Sequence, residues 1–246
     1  MQKNWFQTWF NSPYYHLLYN TRDNKEAEVF IDNLCAFLNP PLNSKIVDIA
    51  CGKGRHAIYL NKKGFDVIGT DLSYASIKFA KKFENPSLQF FVQDMRNLFY
   101  INYFDFAFNL FTSFGYFDSD ADHIKALKSF RKSLNNNGLL VLDYLNAEKI
   151  AQHLIPQEVK QIEDIKFNIK RKIANGKIIK NIVFNDKQKH YSFTEEVNDF
   201  RLADFIRLFN IAGLEITHTF GDYYLNPFNS NQSDRLIFIC KKKDAR

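Results

Sequence analysis

The chain has 246 residues, 46% of them apolar and 16% aromatic, enough for one α/β domain with an insertion or a small second unit. Its net charge of +6 permits an anionic partner without requiring one and reads as solvated surface charge. Three dispersed cysteines (Cys35, Cys51, Cys240) exclude a disulfide framework and a zinc site, and no apolar run approaches a membrane span. With no signal-peptide pattern at the N-terminus, a cytoplasmic protein without a metal is expected.

In chain order, an aromatic segment (Trp5, Trp9, Tyr14, Tyr15, His16) comes first. A capping box at Asp23 and Glu26 then opens a helix, with Ala27, Phe30, Ile31, Leu34, Phe37 and Leu38 at helical spacing until Pro40 and Pro41 end it. A strand over Lys45–Ala50 leads into a glycine turn and a helix that Gly64 stops; Phe65–Thr70 is a second strand and Ser73 caps the next helix. Leu88–Val92 and Phe104–Leu110 read as buried strands. Ser119 caps a helix with the stripe Ile124, Leu127, Phe130 and Leu134, and Asn137-Gly138 is expected to turn the chain into a strand over Leu139–Leu145. Such alternation predicts a doubly wound, mostly parallel sheet with helices on both faces.

Beyond Tyr144 the period changes. Ile165, Phe167, Ile169 and Ile173 alternate with Lys166, Asn168, Lys170 and Lys172, and Asn175-Gly176 follows as a hairpin turn. An inserted antiparallel unit over 156–195 is expected, with its apolar face on the core and its lysine face in water as protection against edge pairing. A last helix ends at Ala212-Gly213, and two strands near Leu214–Phe220 and Arg235–Cys240 close the sheet. The expected organisation is an N-terminal helical segment, 1–42, closing over a ligand site; a ligand-binding core, 43–155; the insertion, 156–195, as lid or pocket wall; and the C-terminal part of the core sheet, 196–246.

The turn G-K-G-R-H-A after the first strand suits a nucleotide-like ligand: Gly52 and Gly54 let backbone approach it, and Ala57 lets helix and strand pack closely. Asp71, at the end of the second strand, stands where a ribose diol needs an acceptor. Up to here a dinucleotide and an adenosyl ligand fit equally. Asp48 breaks the tie, because a carboxylate beside the turn repels a pyrophosphate on the helix N-terminus but suits an ammonium group. Gln93-Asp94-Met95 offers an acceptor for an adenine amino group, and Asn109-Leu110-Phe111 brings apolar residues to the crevice with no second phosphate clamp.

With V-D-I-A-C-G-K-G, G-T-D-L-S, Q-D-M and N-L-F-T-S-F-G-Y-F in this order, the chain resembles the class I S-adenosylmethionine-dependent methyltransferases over nearly its whole length. The resemblance implies a seven-stranded Rossmann-like sheet ending in an antiparallel pair. S-adenosyl-L-methionine would be the cofactor and S-adenosyl-L-homocysteine the product. It places Ala50, Cys51, Gly52 and Gly54 against the methionine part, Asp71 with Leu72 at the ribose, and Asp94 with Met95 at the adenine. Asp48 and Asn109 stand at the strand ends below. Ala50 departs from the family's glycine, a change expected to be tolerated if its φ is negative.

Methyl transfer from a sulfonium is an in-line displacement that needs positioning and water exclusion more than a signature residue. Tyr14 and Arg22 are candidates for the cofactor; Tyr14, His16 and Tyr116 are candidates for catalysis. Tyr15, Phe114, Tyr116, Asp143, Asn146, Tyr223 and Arg235 are candidates for contact with the acceptor. An N-P-P-L stretch at Asn39–Leu42 precedes the glycine turn and reads as a helix stop, not as the N-P-P-Y motif of adenine-amino methyltransferases. The expected acceptor is a small molecule methylated on N or O, by a monomer or homodimer with no membrane partner; a nucleic-acid partner is not expected. The alternatives are an RNA or protein methyltransferase, and a cofactor-binding protein without catalysis.

Overall fold

The computed structural model describes residues 5–19 and 24–243. Two short helices, α1 (Trp5–Phe10) and α2 (Pro13–Leu18), precede α3 (Asn24–Leu38). Strands and helices then alternate: β1 (Lys45–Ile49), α4 (Arg55–Lys62), β2 (Asp66–Asp71), α5 (Tyr74–Ala80), β3 (Leu88–Val92), β4 (Phe104–Asn109), α6 (Asp120–Ser133), β5 (Leu134–Leu145) and α7 (Ala147–Gln152). Four strands follow, β6 (Gln157–Ile162), β7 (Ile165–Ala174), β8 (Lys177–Asp186) and β9 (Lys189–Asn198), then α8 (Leu202–Ala212), β10 (Leu214–Phe220) and β11 (Arg235–Lys242). Asp23, the first residue of the expected capping box, lies outside the described residues.

Seven strands form one sheet in the order β10-β11-β5-β4-β1-β2-β3, parallel except for β11, which runs antiparallel to both its neighbours. Its strands are apolar almost throughout because both faces are covered. Along β4, Phe104 and Ala107 join the core under α6 and α8, while Phe106 and Phe108 join the core under α3, α4 and α5. Local signals fix the helix ends. The Ser73 and Ser119 hydroxyls accept from the backbone N–H groups of Ser76 and Asp122, and Gly213 ends α8 with φ 75°.

Asn137-Gly138 does not turn the chain. Both residues lie inside β5, where the pairing with β4 slips between Phe104 and Phe106, so the dipeptide marks an irregularity in a longer strand. Asn175-Gly176 is the tight turn expected of it, with φ 54° and 70° between the paired residues Ala174 and Lys177. Lys187 and Gln188 make an equivalent turn between β8 and β9 with no glycine to announce it.

β6 to β9 form a separate antiparallel sheet over residues 157–198. Lys166, Asn168 and Lys170 are exposed, as their alternation requires. The opposite face differs from expectation. Ile165, Phe167 and Ile169 pack with Ile182 and Phe184 against Trp9 and Leu18, in a third core that the N-terminal helices cover. The other end of this face, Ile173, Ile178 and Val197, does pack on the core of the Rossmann-like sheet.

Candidate functional site

At the carboxyl ends of β1, β2 and β4 lies a cavity of about 1210 Å³, which reaches from the glycine turn to the second sheet. Crevices at this end of open α/β sheets are where such folds bind ligands. The turn is made by a run of left-handed residues, Ala50 (φ 59°), Gly52 (φ 57°) and Gly54 (φ 84°). Ala50 thus takes a left-handed conformation that favours glycine, so the negative φ on which a tolerated change depended is not met, and it carries some backbone strain. The glycines differ in role. A Cβ on Gly52 would meet nothing within 4 Å and faces open space, whereas a Cβ on Gly54 would lie 2.7 Å from the Phe90 ring. Gly54 serves packing of α4 on the sheet and does not line the cavity.

The Asp71 carboxylate accepts the backbone N–H groups of Gly52 (2.8 Å) and Ser73 (2.7 Å) and so ties the turn to the end of β2. Burial raises its pKa in spite of these bonds. Asp48 is 1% exposed and its Oδ2 has no hydrogen-bond partner among the described residues; burial pushes its carboxyl up to about 7, against the Ala57 backbone N–H that lowers it. Asp94 lines the cavity with its carboxylate held by Arg96 (2.7 Å). Burial would raise that carboxyl, but the Arg96 hydrogen bonds outweigh it and hold it below its ordinary value.

Leu72, Met95 and Cys51 also line this end. An orphaned carboxylate oxygen, a left-handed glycine with free space over it and an acid at the end of β2 fit an adenosyl amino acid carrying an ammonium group. The residues present fit S-adenosylmethionine.

Of the other anticipated residues, Tyr15, His16, Tyr116, Asn146 and Arg235 line the cavity; Tyr14, Asn109, Phe114, Asp143 and Tyr223 do not. On α2, Tyr14 faces the second sheet, where its hydroxyl donates to Asp186 (2.7 Å) and its ring packs on Phe184 and Tyr191. Helical rotation carries the next residues, Tyr15 and His16, round to the cavity. Asn109 is buried below the turn, donating to the Ile49 carbonyl (3.0 Å). Phe114 belongs to the core with Phe130 and Phe205. Arg22 lies outside the described residues.

Asp143 is a buried tie. Its carboxylate accepts the Phe111 backbone N–H (2.7 Å), Arg235 Nε (2.8 Å) and the Tyr223 hydroxyl (3.3 Å). Phe111 and Thr112 are left-handed, with φ 61° and 56°, a costly pair for residues other than glycine. Asp143 and Arg235, whose Nη2 donates to Thr112 Oγ1 (2.8 Å), hold that bend open toward the cavity. Asn146 is likewise committed, capping α7 with its oxygen and donating to the Ser230 and Ser233 carbonyls (2.8 Å each).

Sequence reading missed two parts of the lining. His56, inside the glycine turn motif itself, is buried with no partner for its Nε2 among the described residues, and burial pushes its pKa down to about 3. His16 is pushed down to about 4 by burial and by nearby Lys53, so both imidazoles are neutral at pH 7. Glu158, Arg171, Ile178, Lys180, Glu195 and Val197 of the second sheet form the far wall, together with Phe10 and Tyr19. The signal for His56 was present in the sequence. That for the far wall was not, because it depends on strand register.

Residues 46–138 match the family model described as a methyltransferase domain. The candidate methyltransferase YqeM of Bacillus subtilis (strain 168) is 28% identical over 214 residues, covering 82% of this chain and 85% of its own. The dTDP-3-amino-3,4,6-trideoxy-alpha-D-glucopyranose N,N-dimethyltransferase of Streptomyces venezuelae is 23% identical over 74% of this chain and 79% of its own. Among solved structures, an S-adenosylmethionine-dependent methyltransferase from Clostridium acetobutylicum ATCC 824 superimposes with a TM-score of 0.78 at 22% identity, covering 94% of this chain and 96% of its own.

Proposed function

We propose that the chain works as a class I S-adenosylmethionine-dependent methyltransferase on a nitrogen or oxygen of a small molecule. The observation that carries this reading is the shape of the site. The cavity continues past the glycine turn into a pocket walled by the second sheet and by Phe10, Tyr15, Tyr19 and Tyr116. Aromatic walls of this kind exclude water and tolerate a neighbouring cation, whereas a polymer needs an open groove with contacts along it. The similarity to an amino-sugar N,N-dimethyltransferase supports the same class of acceptor.

S-adenosylmethionine, when bound, supplies a methyl group on a positively charged sulfur. In this reading Asp71 accepts from the ribose hydroxyls, Asp94 and Met95 border the adenine, and Asp48 faces the ammonium group. The N-terminal segment, 1–42, closes over the cofactor and the segment 156–195 walls the acceptor. Phe10, Tyr15 and Tyr116 hold the acceptor's lone pair in line and keep water out, which is the larger part of the catalytic task. The acceptor passes a proton to solvent after its new bond to carbon forms; His16 lines the cavity, but with its pKa pushed down to about 4 it is a weak base.

Methyl-labelled S-adenosylmethionine incubated with a metabolite extract, with total RNA and with protein tests the assignment. Label in the small-molecule fraction is expected. Label only in RNA or protein would overturn it, and cofactor binding with no transfer to any fraction would favour a non-catalytic role.

A further inference from the structure

On the face of the second sheet that meets α1 and α2, three rows run across the strands in register. Ile169, Ile182 and Phe193 pair with one another and pack in the core that Trp9 and Leu18 cover. Ile173, Ile178 and Val197 pair likewise and pack on the core of the seven-stranded sheet. Between these two apolar rows, Arg171 pairs with Lys180 and Lys180 with Glu195, and all three line the cavity.

A strip packed by protein along both edges gains by being apolar, since charge is expensive to bury. A charged middle row is therefore a stability cost that its opening onto the cavity explains. The two carboxylates nearest its cations, Glu195 in the row and Glu158 beside it, are engaged. Glu195 accepts from Trp9 Nε1 (2.6 Å) and the Tyr19 hydroxyl (2.7 Å) and pairs with Lys180 (3.5 Å). Glu158 pairs with Arg171 Nη2 (2.6 Å) and with Lys160 (3.5 Å). The Arg171 guanidinium has further donors: besides Glu158 it reaches only the Ile155 carbonyl (3.5 Å) among the described residues, and Nε is left over. Arg171 thus has N–H groups to give, while Lys180 Nζ is held by the Tyr19 hydroxyl and Glu195 and adds its charge. A planar fork of N–H donors is matched by an oxyanion.

We propose that Arg171, with Lys180 beside it, anchors an oxyanion of the methyl acceptor, so that this enzyme's substrate is a small anionic molecule carrying a carboxylate or a phosphate. The anion sits on β7 and the nucleophile points back toward the glycine turn. The assignment rests on the small-molecule reading above and specifies its substrate class.

Two measurements test it. In the first, malonate and inorganic phosphate are titrated into protein saturated with S-adenosylhomocysteine, using the wild type, Arg171→Gln, Arg171→Lys and the double variant E158Q/R171Q, which leaves no unpaired carboxylate. At least one anion should bind the wild type and bind both glutamine-containing variants at least tenfold more weakly. R171K should fall between, and the affinity for S-adenosylhomocysteine should stay within about twofold throughout. Neither anion binding the wild type, or equal binding by wild type and the double variant, overturns the proposal.

In the second, labelled transfer is run on a metabolite extract split on an anion exchanger, with and without phosphatase treatment. Label should enter the retained fraction; its loss after phosphatase identifies a phosphate and its persistence a carboxylate. Label confined to unretained small molecules would leave the small-molecule reading standing and remove this one. Label confined to RNA or protein would remove both.

Discussion

The two ends of the cavity are built by different means. The proposed cofactor end comes from neighbouring segments in chain order: β1, the turn through Gly52, the start of α4, Asp71 on β2 and Asp94 after β3. The proposed acceptor end is assembled from α2, the bend after β4 and all four strands of the second sheet, with Trp9 reaching Glu195 across 186 positions of sequence. The first is a local motif on a sheet buried on both faces. The second is a set of long-range meetings, and its chemistry can change without disturbing the first. That separation is what lets one cofactor fold serve many acceptors.

The comparison is broken most forcibly at Trp9. Trp9→Ala removes a side chain that is 1% exposed, packs on Phe193 and donates to Glu195. A loss of about 3–5 kcal/mol is expected. If the two ends are independent, calorimetry will find the affinity for S-adenosylmethionine nearly unchanged at a temperature where the variant is folded, while transfer falls. Equal loss of both would show that they are one unit.

Asp71→Ala acts on the other end. Loss of charge-assisted hydrogen bonds worth about 1.5–3 kcal/mol should weaken S-adenosylmethionine roughly 10- to 100-fold. Titration with both S-adenosylmethionine and NAD measures it, and tight NAD binding in the wild type would contradict the cofactor placement.

A smaller effect separates the ends by pH. Asp48, with its carboxyl pushed up to about 7, is largely protonated in the ligand-free protein at pH 6. An ammonium group beside it favours the charged form, so binding at pH 6 should release up to about one proton. Calorimetry in buffers of different ionisation enthalpy reads this directly, and Asp48→Asn should abolish it. For stability without ligand the sign is also fixed. A carboxyl raised above its unfolded value binds more protons when folded, so its contribution is present below the unfolded pKa of about 4 and declines as pH rises toward about 7. His16 and His56 act oppositely: lowered to about 4 and about 3, they cost stability as pH falls below their unfolded value of about 6.5. D48N should leave the histidine limb alone in a pH series of denaturation curves.

The smallest change expected is at Ala50. Its φ of 59° is one that glycine adopts at little cost, so Ala50→Gly should stabilise the ligand-free protein by about 0.5–1 kcal/mol in chemical denaturation. Destabilisation would mean that the methyl group's packing outweighs the strain.

Reading from residues went furthest where chemistry follows chain order. Asp48, Gly52, Asp71 and Asp94 all line the cavity, because each follows or ends one of three consecutive parallel strands whose carboxyl ends meet there. Tyr14 does not reach the cavity although Tyr15, one residue on, lines it, because the rotation of α2 is fixed by what that helix packs on. Phe114 and Asp143 do not line it either: an aromatic or acidic residue just past a strand end serves the core and the cavity equally well until neighbours are known.

By itself, then, the sequence determined the alternation of strands and helices, the cofactor turn and the existence of an antiparallel insertion, all of which follow from short-range periodicity and hydrogen bonding. Only the tertiary structure decided that Ala50 is left-handed, that Asp143 ties the bend at Phe111, and that Arg171, Lys180 and Glu195 stand side by side. Those facts depend on register and packing between segments far apart in the chain. A shift of one residue in that register would have turned the same charges to solvent.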